Sequence, residues 1–322
     1  MPSQNPPLVS IGLVTWNSAV HLSACLNALA QQAYPSLELI VVDNASVDDS
    51  TAQVKALYPR AHLVCNTLNT GYCGGHNQAI RISRGAYYLA LNPDVVMSPG
   101  YVATLVDALE TRPQHGSAAG KLIQAEGPRA IIDSTGLFMD RKRRQYLRGH
   151  GEPDTGQYEQ GGDVFGVDGA APLYRRTMLD DIQIDGDYFD DSFFAHKEDV
   201  DLAWRAQLFG WQCWYTPKAV AVHPRSFRPG RRAPMAPAIL VHAVKNRYLL
   251  LLKNESSEGW RRDGARIIAY DLQILAYLFL LERSSLGAIR LLRRAWPRAR
   301  RWRSEIWRRA RRRPAETLKW FI

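Results

Sequence analysis

An α/β fold is predicted, with a mainly parallel sheet flanked by helices and a basic helical extension behind it. Three features of the sequence carry that prediction. Short apolar runs alternate with helical patterns over the first hundred residues, as they do in βαβ units. Each run stops at a polar or glycine-containing cluster, so the polar clusters fall on one edge of the sheet. The basic excess is confined to the C-terminal part. The composition, 46% hydrophobic and 22% charged over 322 residues, is that of a globular chain with room for one large domain and an appendage. The reading divides the chain into 1–230 and a helical extension at 231–322.

The first strand is Val9 to Thr15, followed by Trp16, Asn17 and a helix whose apolar positions are Val20, Leu22, Cys25, Leu26 and Leu29. A second apolar strand, Leu37 to Val42, closes on Asp43-Asn44-Ala45-Ser46. Asp48 and Asp49 then open a helix at its positive end. Ala61 to Cys65 is a third strand. A glycine-rich turn, Asn69 to Asn77, leads into a helix ending near Ser83. Its glycines match neither the dinucleotide fingerprint nor the P-loop, which argues against a dehydrogenase or an NTPase. Ala86 to Leu91 is a fourth strand, halted by Asn92-Pro93-Asp94 because proline cannot donate to a sheet ladder.

Residues 98–111 read as a helix and Ser117 to Ile123 as a strand. Residues 124–165 are irregular, the character of a functional or mobile loop such as an acceptor-facing flap. Asp163 to Tyr174 returns to strand-like character around Gly169-Ala170-Ala171, where small side chains let a sugar lie against the backbone. Short strands are expected at Trp211–Tyr215 and Ala219–His223.

The strand ends define a crevice with a division of labour. Trp16 offers a π face to a base, or is a core side chain. Asp43 can accept from a pyrimidine imide N–H. Asp94 is a turn residue, or a carboxylate that holds a divalent cation and, through it, a diphosphate. Glu198, Asp199 and Asp201 crowd the first turn of a helix. Capping explains one of them, and three behind an aromatic-rich approach point to a catalytic carboxylate. His223 at a strand end is a structural histidine or a metal ligand.

Together these residues resemble a family 2 glycosyltransferase of the GT-A fold, and more narrowly the bacterial rhamnosyltransferase-like group that builds cell-surface polysaccharides. The resemblance runs from Val9 to Ser226. It rests on Thr-Trp-Asn at 15–17, Val-Asp-Asn-Ala-Ser at 42–46, Asn-Pro-Asp at 92–94, Arg-Gly-His-Gly-Glu at 148–152 and Lys-Glu-Asp-Val-Asp-Leu-Ala-Trp-Arg at 197–205, in the family's order.

The resemblance implies a nucleotide-sugar site at Thr15, Trp16, Asn17, Asp43, Asn77, Asn92 and Gly169. It implies a Mg²⁺ or Mn²⁺ ion on Asp94 and His223, and Asp199 as general base with Glu198 as the alternative. Asn92 stands where the family often has a first aspartate, which leaves fewer charged ligands on the metal. Gly74-Gly75-His76-Asn77 stands where Gly-Gly-Asn-Asn is common, and His76 is expected to perturb that loop. The implied donor is a dTDP- or UDP-linked sugar, with dTDP-rhamnose the particular expectation, and the acceptor is a lipid-linked glycan. A metal stabilises the leaving diphosphate and a carboxylate takes the acceptor's proton, so one displacement inverts the anomeric centre. The alternative is a non-catalytic GT-A-like protein that binds a nucleotide sugar or tethers a partner to membrane. A nucleotidyltransferase is disfavoured because its N-terminal Gly-rich, basic signature is missing.

Net charge is +10. Residues 283–313 hold thirteen Arg and one Glu, and the nine residues after them add no net charge, so residues 1–282 carry about −2. Arg interleaved with Trp on helical spacing (Leu286, Ile289, Leu292, Trp296) predicts an amphipathic anchor on an anionic membrane surface. No nucleic-acid motif accompanies the arginines, so nucleic acid is not an expected partner. The longest apolar stretch, Ile267 to Leu281, falls short of the ~20 residues a spanning helix needs. No signal peptide is seen and the four cysteines show no paired spacing. The expected location is cytoplasmic, peripheral on the inner face of the plasma membrane.

Overall fold

A computed structural model describes residues 6–125, 130–224, 237–280 and 287–322. Ser226, Met235, the 230/231 boundary and Leu281, Arg283 and Leu286 of the tail lie outside the described residues.

The first seven elements alternate as expected. They are β1 (Val9–Thr15), α1 (Ala19–Ala30), β2 (Leu37–Asp43), α2 (Ser50–Leu57), β3 (His62–Cys65), α3 (Gly71–Ile82) and β4 (Tyr87–Leu91). The middle of β1, the end of β2 and all of β4 are apolar and buried, as strands covered by helices must be. β1 pairs in parallel with β2 on one side and β4 on the other, and β2 with β3. The chain therefore leaves β1 in one direction and returns on its far side. That reversal opens a crevice at the carboxyl ends of β1 and β4, where α/β sheets bind ligands.

Beyond β4 come β5 (Val96–Met97), α4 (Tyr101–Glu110), β6 (His115–Ile123), β7 (Ile132–Ser134), β8 (Leu137–Met139), β9 (Gln145–Leu147), β10 (Gly162–Val164), β11 (Leu173–Arg175), α5 (Arg176–Ile182), α6 (Glu198–Leu208) and β12 (Gln212–Val222). The sheet runs β10-β12-β6-β11-β4-β1-β2-β3. β11 is antiparallel to both its neighbours, and β6 and β12 are parallel. The two strands expected at 211–223 are one strand, β12, broken in register between Tyr215 and Val220. The irregular stretch 124–165 holds four short strands, two of them a separate β8–β9 hairpin. Strand character at 163–174 is limited to its two ends, and Asp168 to Ala171 lie between β10 and β11.

The tail folds as α7 (Pro237–Asn254), α8 (Ser257–Leu280), α9 (Gly287–Arg309) and α10 (Pro314–Leu318). Leu249, Trp302, Ile306 and Phe321 share one core cluster with Phe165, Phe189, Phe193 and Trp204 of the α/β part. Trp302 is fully buried, with the cations of Arg205, Lys253 and Arg298 over its ring at 5.1, 4.7 and 5.0 Å. Several tail arginines serve this packing. Arg303 donates to the carbonyls of Leu252 and Glu255, Arg311 pairs with Asp181, and Arg298 pairs with Asp187 and Asp190.

Candidate active site

The end of β1 meets the end of β2 in register, Thr15 opposite Asp43. Asp43 is buried and accepts from Thr15 Oγ1 (2.8 Å), Ser46 Oγ (2.6 Å) and the Ser46 N–H (2.9 Å). A carboxylate has about four lone-pair sites, which leaves Asp43 one acceptor for a ligand N–H. Asn17 sits in the left-handed region (φ 48°), with its N–H donating to Ser46 Oγ and its Oδ1 accepting from Val47. That turn holds Trp16 out of the core at 57% exposure, so its ring is available to a ligand.

The glycines at 71–75 open and line α3 rather than forming a loop. A Cβ on Gly75 would meet the Val14 side chain at 2.7 Å, and one on Gly71, at φ 72°, would meet the Phe194 carbonyl at 2.4 Å. These glycines let α3 approach β1 and the 190s loop. Asn77 is likewise not open to a nucleotide. It is fully buried, donates to Phe189 O and Asp191 Oδ1, and accepts from the N–H groups of Tyr188 and Phe189. Its work is to hold residues 188–191. His76 is also core: it bonds the Tyr88 hydroxyl, and burial pushes its imidazole down to about 3.

Asp94 follows β4, and β5, just beyond it, pairs antiparallel with the end of β12 (Val96 opposite Val222). That pairing brings His223 to Asp94, with Nε2 3.4 Å from Oδ1. The other ring nitrogen of His223 bonds Asp133 Oδ2 at 2.8 Å, and Asp133 is in turn 3.3 Å from His150 Nδ1. Asp133 lies in β7 and is fully buried. The Arg-Gly-His-Gly-Glu stretch thus backs Asp133, and Arg148 docks on Thr135 and over the Tyr215 ring.

Burial alone would lower the His223 imidazole, but the Asp133 and Asp94 carboxylates outweigh it and lift the ring to about 9. For Asp94, burial raises the carboxyl while the His223 hydrogen bond and charge bring it below the usual range. With its Nε2 proton released, His223 would join Asp94 in a donor set for a divalent cation. One carboxylate oxygen faces one imidazole nitrogen whose partner nitrogen is fixed by a carboxylate, the arrangement that orients metal-ligating histidines. Among the described residues no third acidic, histidine or cysteine side chain completes a cage. That leaves coordination positions for diphosphate oxygens and water, as magnesium-type sites require.

The base pair sits on the neighbouring edge. The Asn92 N–H donates to Ala170 O (2.8 Å), tying the β4 end to the 168–170 segment. The Gly169 N–H donates to Asp199 Oδ2 (3.3 Å), and Tyr72 donates to Gly169 O (2.8 Å). A Cβ on Gly169 would stand in ordinary van der Waals contact with the Tyr72 hydroxyl (3.4 Å), the Asp199 Cβ and Glu198 Oε1 (both 3.6 Å), which places Gly169 between the carboxylates and Tyr72. Glu198 is buried, and its Oε2 has no hydrogen-bond partner among the described residues. Burial, and then the Asp199 charge, hold Glu198 well above the usual carboxylate range. Asp199 is half-buried and accepts from two backbone N–H groups, those of Gly169 (3.3 Å) and Val200 (2.8 Å). Buried Asp168 acts electrostatically on both His223 and Glu198, linking the two halves. Asp201, third of the clustered acids, belongs to the framework. It binds Lys253 (3.0 Å), Arg205 (3.2 Å) and Asn254 (2.7 Å).

The approach to α6 is strained: Phe194, His196 and Lys197 all have positive φ. α7 of the tail holds it. Asn246 Nδ2 lies 3.0, 2.9 and 2.5 Å from the carbonyls of Phe193, Ala195 and His196. Lys245 reaches the Ser192 carbonyl, and His242 stacks on Phe194 with ring centroids 4.8 Å apart. Asp133, Asp168, Lys245 and Asn246 were not singled out from sequence. Only the Arg-Gly-His-Gly-Glu motif, which backs Asp133, gave a signal for any of them.

The crevice, the strand-end carboxylates and the mixed sheet are those of a GT-A fold. The chain belongs to glycosyl transferase family 2, whose model matches residues 10–183. It is a rhamnosyltransferase-like glycosyltransferase. It is 28% identical over 280 residues to an N-acetylglucosaminyl-diphospho-decaprenol L-rhamnosyltransferase of Mycobacterium tuberculosis, covering 79% of this chain and 86% of the relative. A putative colanic acid biosynthesis glycosyl transferase of Escherichia coli, WcaA, is 31% identical over 106 residues, 32% of this chain and 38% of the relative.

Among solved structures, GalNAc-T7 with UDP, GalNAc and Mn²⁺ shares the fold at a TM-score of 0.58 and 12% identity, over 77% of this chain and 48% of that one. The mannosyltransferase PcManGT of Pyrobaculum calidifontis, with GDP-Man and Mn²⁺, does so at 0.54 and 17% identity, over 98% and 86%.

Proposed function

We propose that this chain transfers rhamnose from dTDP-rhamnose to a hydroxyl of a lipid-linked glycan, with inversion and with a divalent cation. The observation that carries the proposal is the meeting of a histidine–aspartate pair, held by Asp133 at the strand ends, with the Asp199 carboxylate at the start of α6, which accepts from the Gly169 N–H. Thr15, Trp16, Asn17 and Asp43 receive the pyrimidine. Asn92 and Gly169 border the sugar. Asp94 and His223 hold the cation, which supplies Lewis-acid stabilisation of the departing diphosphate. Asp199 takes the acceptor hydroxyl proton as that oxygen bonds to the anomeric carbon and the bond to the diphosphate breaks. Glu198, held neutral, is the weaker candidate for base. The M. tuberculosis relative's name supports the sugar and the lipid-linked acceptor.

Membrane association is part of the same reading. Ile268, Leu272, Leu275 and Phe279 are exposed on α8 at spacings of four, three and four, forming one apolar stripe. Exposed Ile289, Trp296, Arg290, Arg293 and Arg294 stand on α9. Each arginine near an anionic surface contributes about 1 kcal/mol. Among the described residues no helix is long and apolar enough to cross a membrane. The anchor therefore lies on the surface, at the cytoplasmic face where nucleotide sugars are found.

The test is a screen of the purified full chain against several nucleotide sugars with Mg²⁺ or Mn²⁺. dTDP-rhamnose is expected to be consumed fastest, and Asp94→Ala is expected to abolish turnover and metal-dependent donor binding. Wild-type turnover by Asp94→Ala contradicts the metal assignment.

A further inference from the structure

A groove of about 360 Å³ runs between α7 and α8. Its floor is Leu240, Ala243, Val244, Ile274, Tyr277 and Leu278. Its far end is cationic, with Arg144 of the β8–β9 turn, Lys197 and Arg247. Arg247 is fully engaged, pairing with Asp271 (2.6 Å) and donating to the carbonyls of Lys142 and Arg143 (both 2.9 Å). Lys197 differs. It is half-buried, and its ammonium donates to a neutral partner, the Gln145 amide oxygen, at 2.9 Å. Burial, and then the Arg247 charge, push it down to about 8. A desolvated cation with an uncharged partner favours an incoming anion. Arg144, beside it, is exposed. Lys197 immediately precedes Glu198 and Asp199, and both carboxylates act electrostatically on it, so the cationic end of the groove lies on the side of the proposed base. The other end opens at Tyr277, 43% exposed, next in sequence to the apolar stripe of α8.

We infer that this groove binds the lipid-linked acceptor itself. An isoprenoid chain lies on the apolar floor, its diphosphate meets Lys197 and Arg144, and the sugar carried by the diphosphate lies against Asp199. Charge complementarity fixes the direction, since the cations stand only at the end nearest the base. Continuity with the α8 stripe gives the hydrocarbon a route from a membrane surface without leaving apolar cover. The inference rests on the glycosyltransferase reading and adds to it where the acceptor binds and in which orientation.

The experiment is calorimetric titration of the full chain with three probes: farnesyl diphosphate, inorganic diphosphate and farnesol. Farnesyl diphosphate is expected to bind about tenfold or more tighter than inorganic diphosphate, because burying even two methylene groups is worth that much, and tighter than farnesol, which brings no anion to Lys197 and Arg144. Lys197→Gln should weaken both diphosphates. Tyr277→Glu, at the exposed mouth, should weaken farnesyl diphosphate and leave inorganic diphosphate unchanged. Circular dichroism checks that each variant is folded, and the Tyr277 variant decides the matter if the Lys197 variant is not. Equal binding of farnesyl and inorganic diphosphate, or wild-type binding of farnesyl diphosphate by the folded variants, overturns the inference. Donor binding by wild-type protein is measured separately, so a failed groove is distinguishable from a failed glycosyltransferase reading.

Discussion

The two halves of the site are held in different ways. The half proposed for the nucleotide and metal is built from strand ends: Thr15, Asp43 and Asp94 stand where β1, β2 and β4 stop, and neighbouring strands set their spacing. The half proposed for the base is built from outside the sheet. Glu198 and Asp199 follow a loop with three positive-φ residues, and helices from the far end of the chain hold that loop. Under α6 lies a buried ion network: Lys253 meets Asp190 at 2.6 Å and Asp201 at 3.0 Å, and Arg298 reaches Asp190 and Asp187. The proposed function thus assigns donor binding to the sheet and base placement to the tail. Variants should therefore separate the two.

The largest separation is expected at the base itself. Asp199→Asn should lower transfer by ~10²–10⁴-fold, the contribution of a general base, while donor affinity stays at the wild-type value. Glu198→Gln should change transfer little. The reverse ranking in steady-state kinetics gives the role to Glu198.

Next comes the tail's hold on the framework. Lys253→Met removes the buried cation that Asp190 and Asp201 share, leaving, among the described residues, Asp190 with Arg298 alone and Asp201 with Arg205 alone. Urea unfolding should show a loss of ~3–5 kcal/mol, the usual consequence of removing one partner of a buried pair. A loss within error of zero means that the tail is not part of the cooperative core.

On the other half, Asp133→Asn keeps size but weakens the anchor of His223. Mn²⁺ affinity in a titration with dTDP present should fall ~10–100-fold. Unchanged affinity breaks the metal side of the comparison.

The smallest effect is a pH dependence. The folded protein holds the Glu198 carboxyl above its unfolded value, near ~4.3, so the unfolded chain releases that proton first. The contribution is intact below the ordinary carboxylate range and is lost as pH rises through the elevated folded value. Glu198→Gln should remove that decline, so the gap between variant and wild-type denaturation midpoints should move in the variant's favour from pH 5 to pH 8. A gap independent of pH contradicts the assignment of a neutral buried Glu198.

The sheet half was legible because its chemistry sits next to its structure. Apolar runs ending in Thr-Trp-Asn, Asp-Asn-Ala-Ser and Asn-Pro-Asp announce both the strand and the residues beyond it. The glycines at 71–75 misled because glycine disfavours helices in general, while here the absence of side chains is what lets α3 lie on Val14. Asn77 was misplaced with them. Asp133 and Asp168 stand in stretches without strong periodicity, and their partners lie up to ninety positions away. The tail was read by its charge and by the helical spacing of its Arg, Trp and apolar residues. A charge count cannot tell an arginine bound for an anionic surface from Arg303, which caps the carbonyls of Leu252 and Glu255.

The central claim is a single displacement in which Asp199 deprotonates the acceptor and no protein group attacks the sugar. The anomeric configuration of the transferred sugar, followed by proton NMR as the full chain turns over its donor with Mn²⁺ and a lipid-linked acceptor, tests it most directly. Inversion relative to the donor is the expected result, and retention of configuration contradicts it.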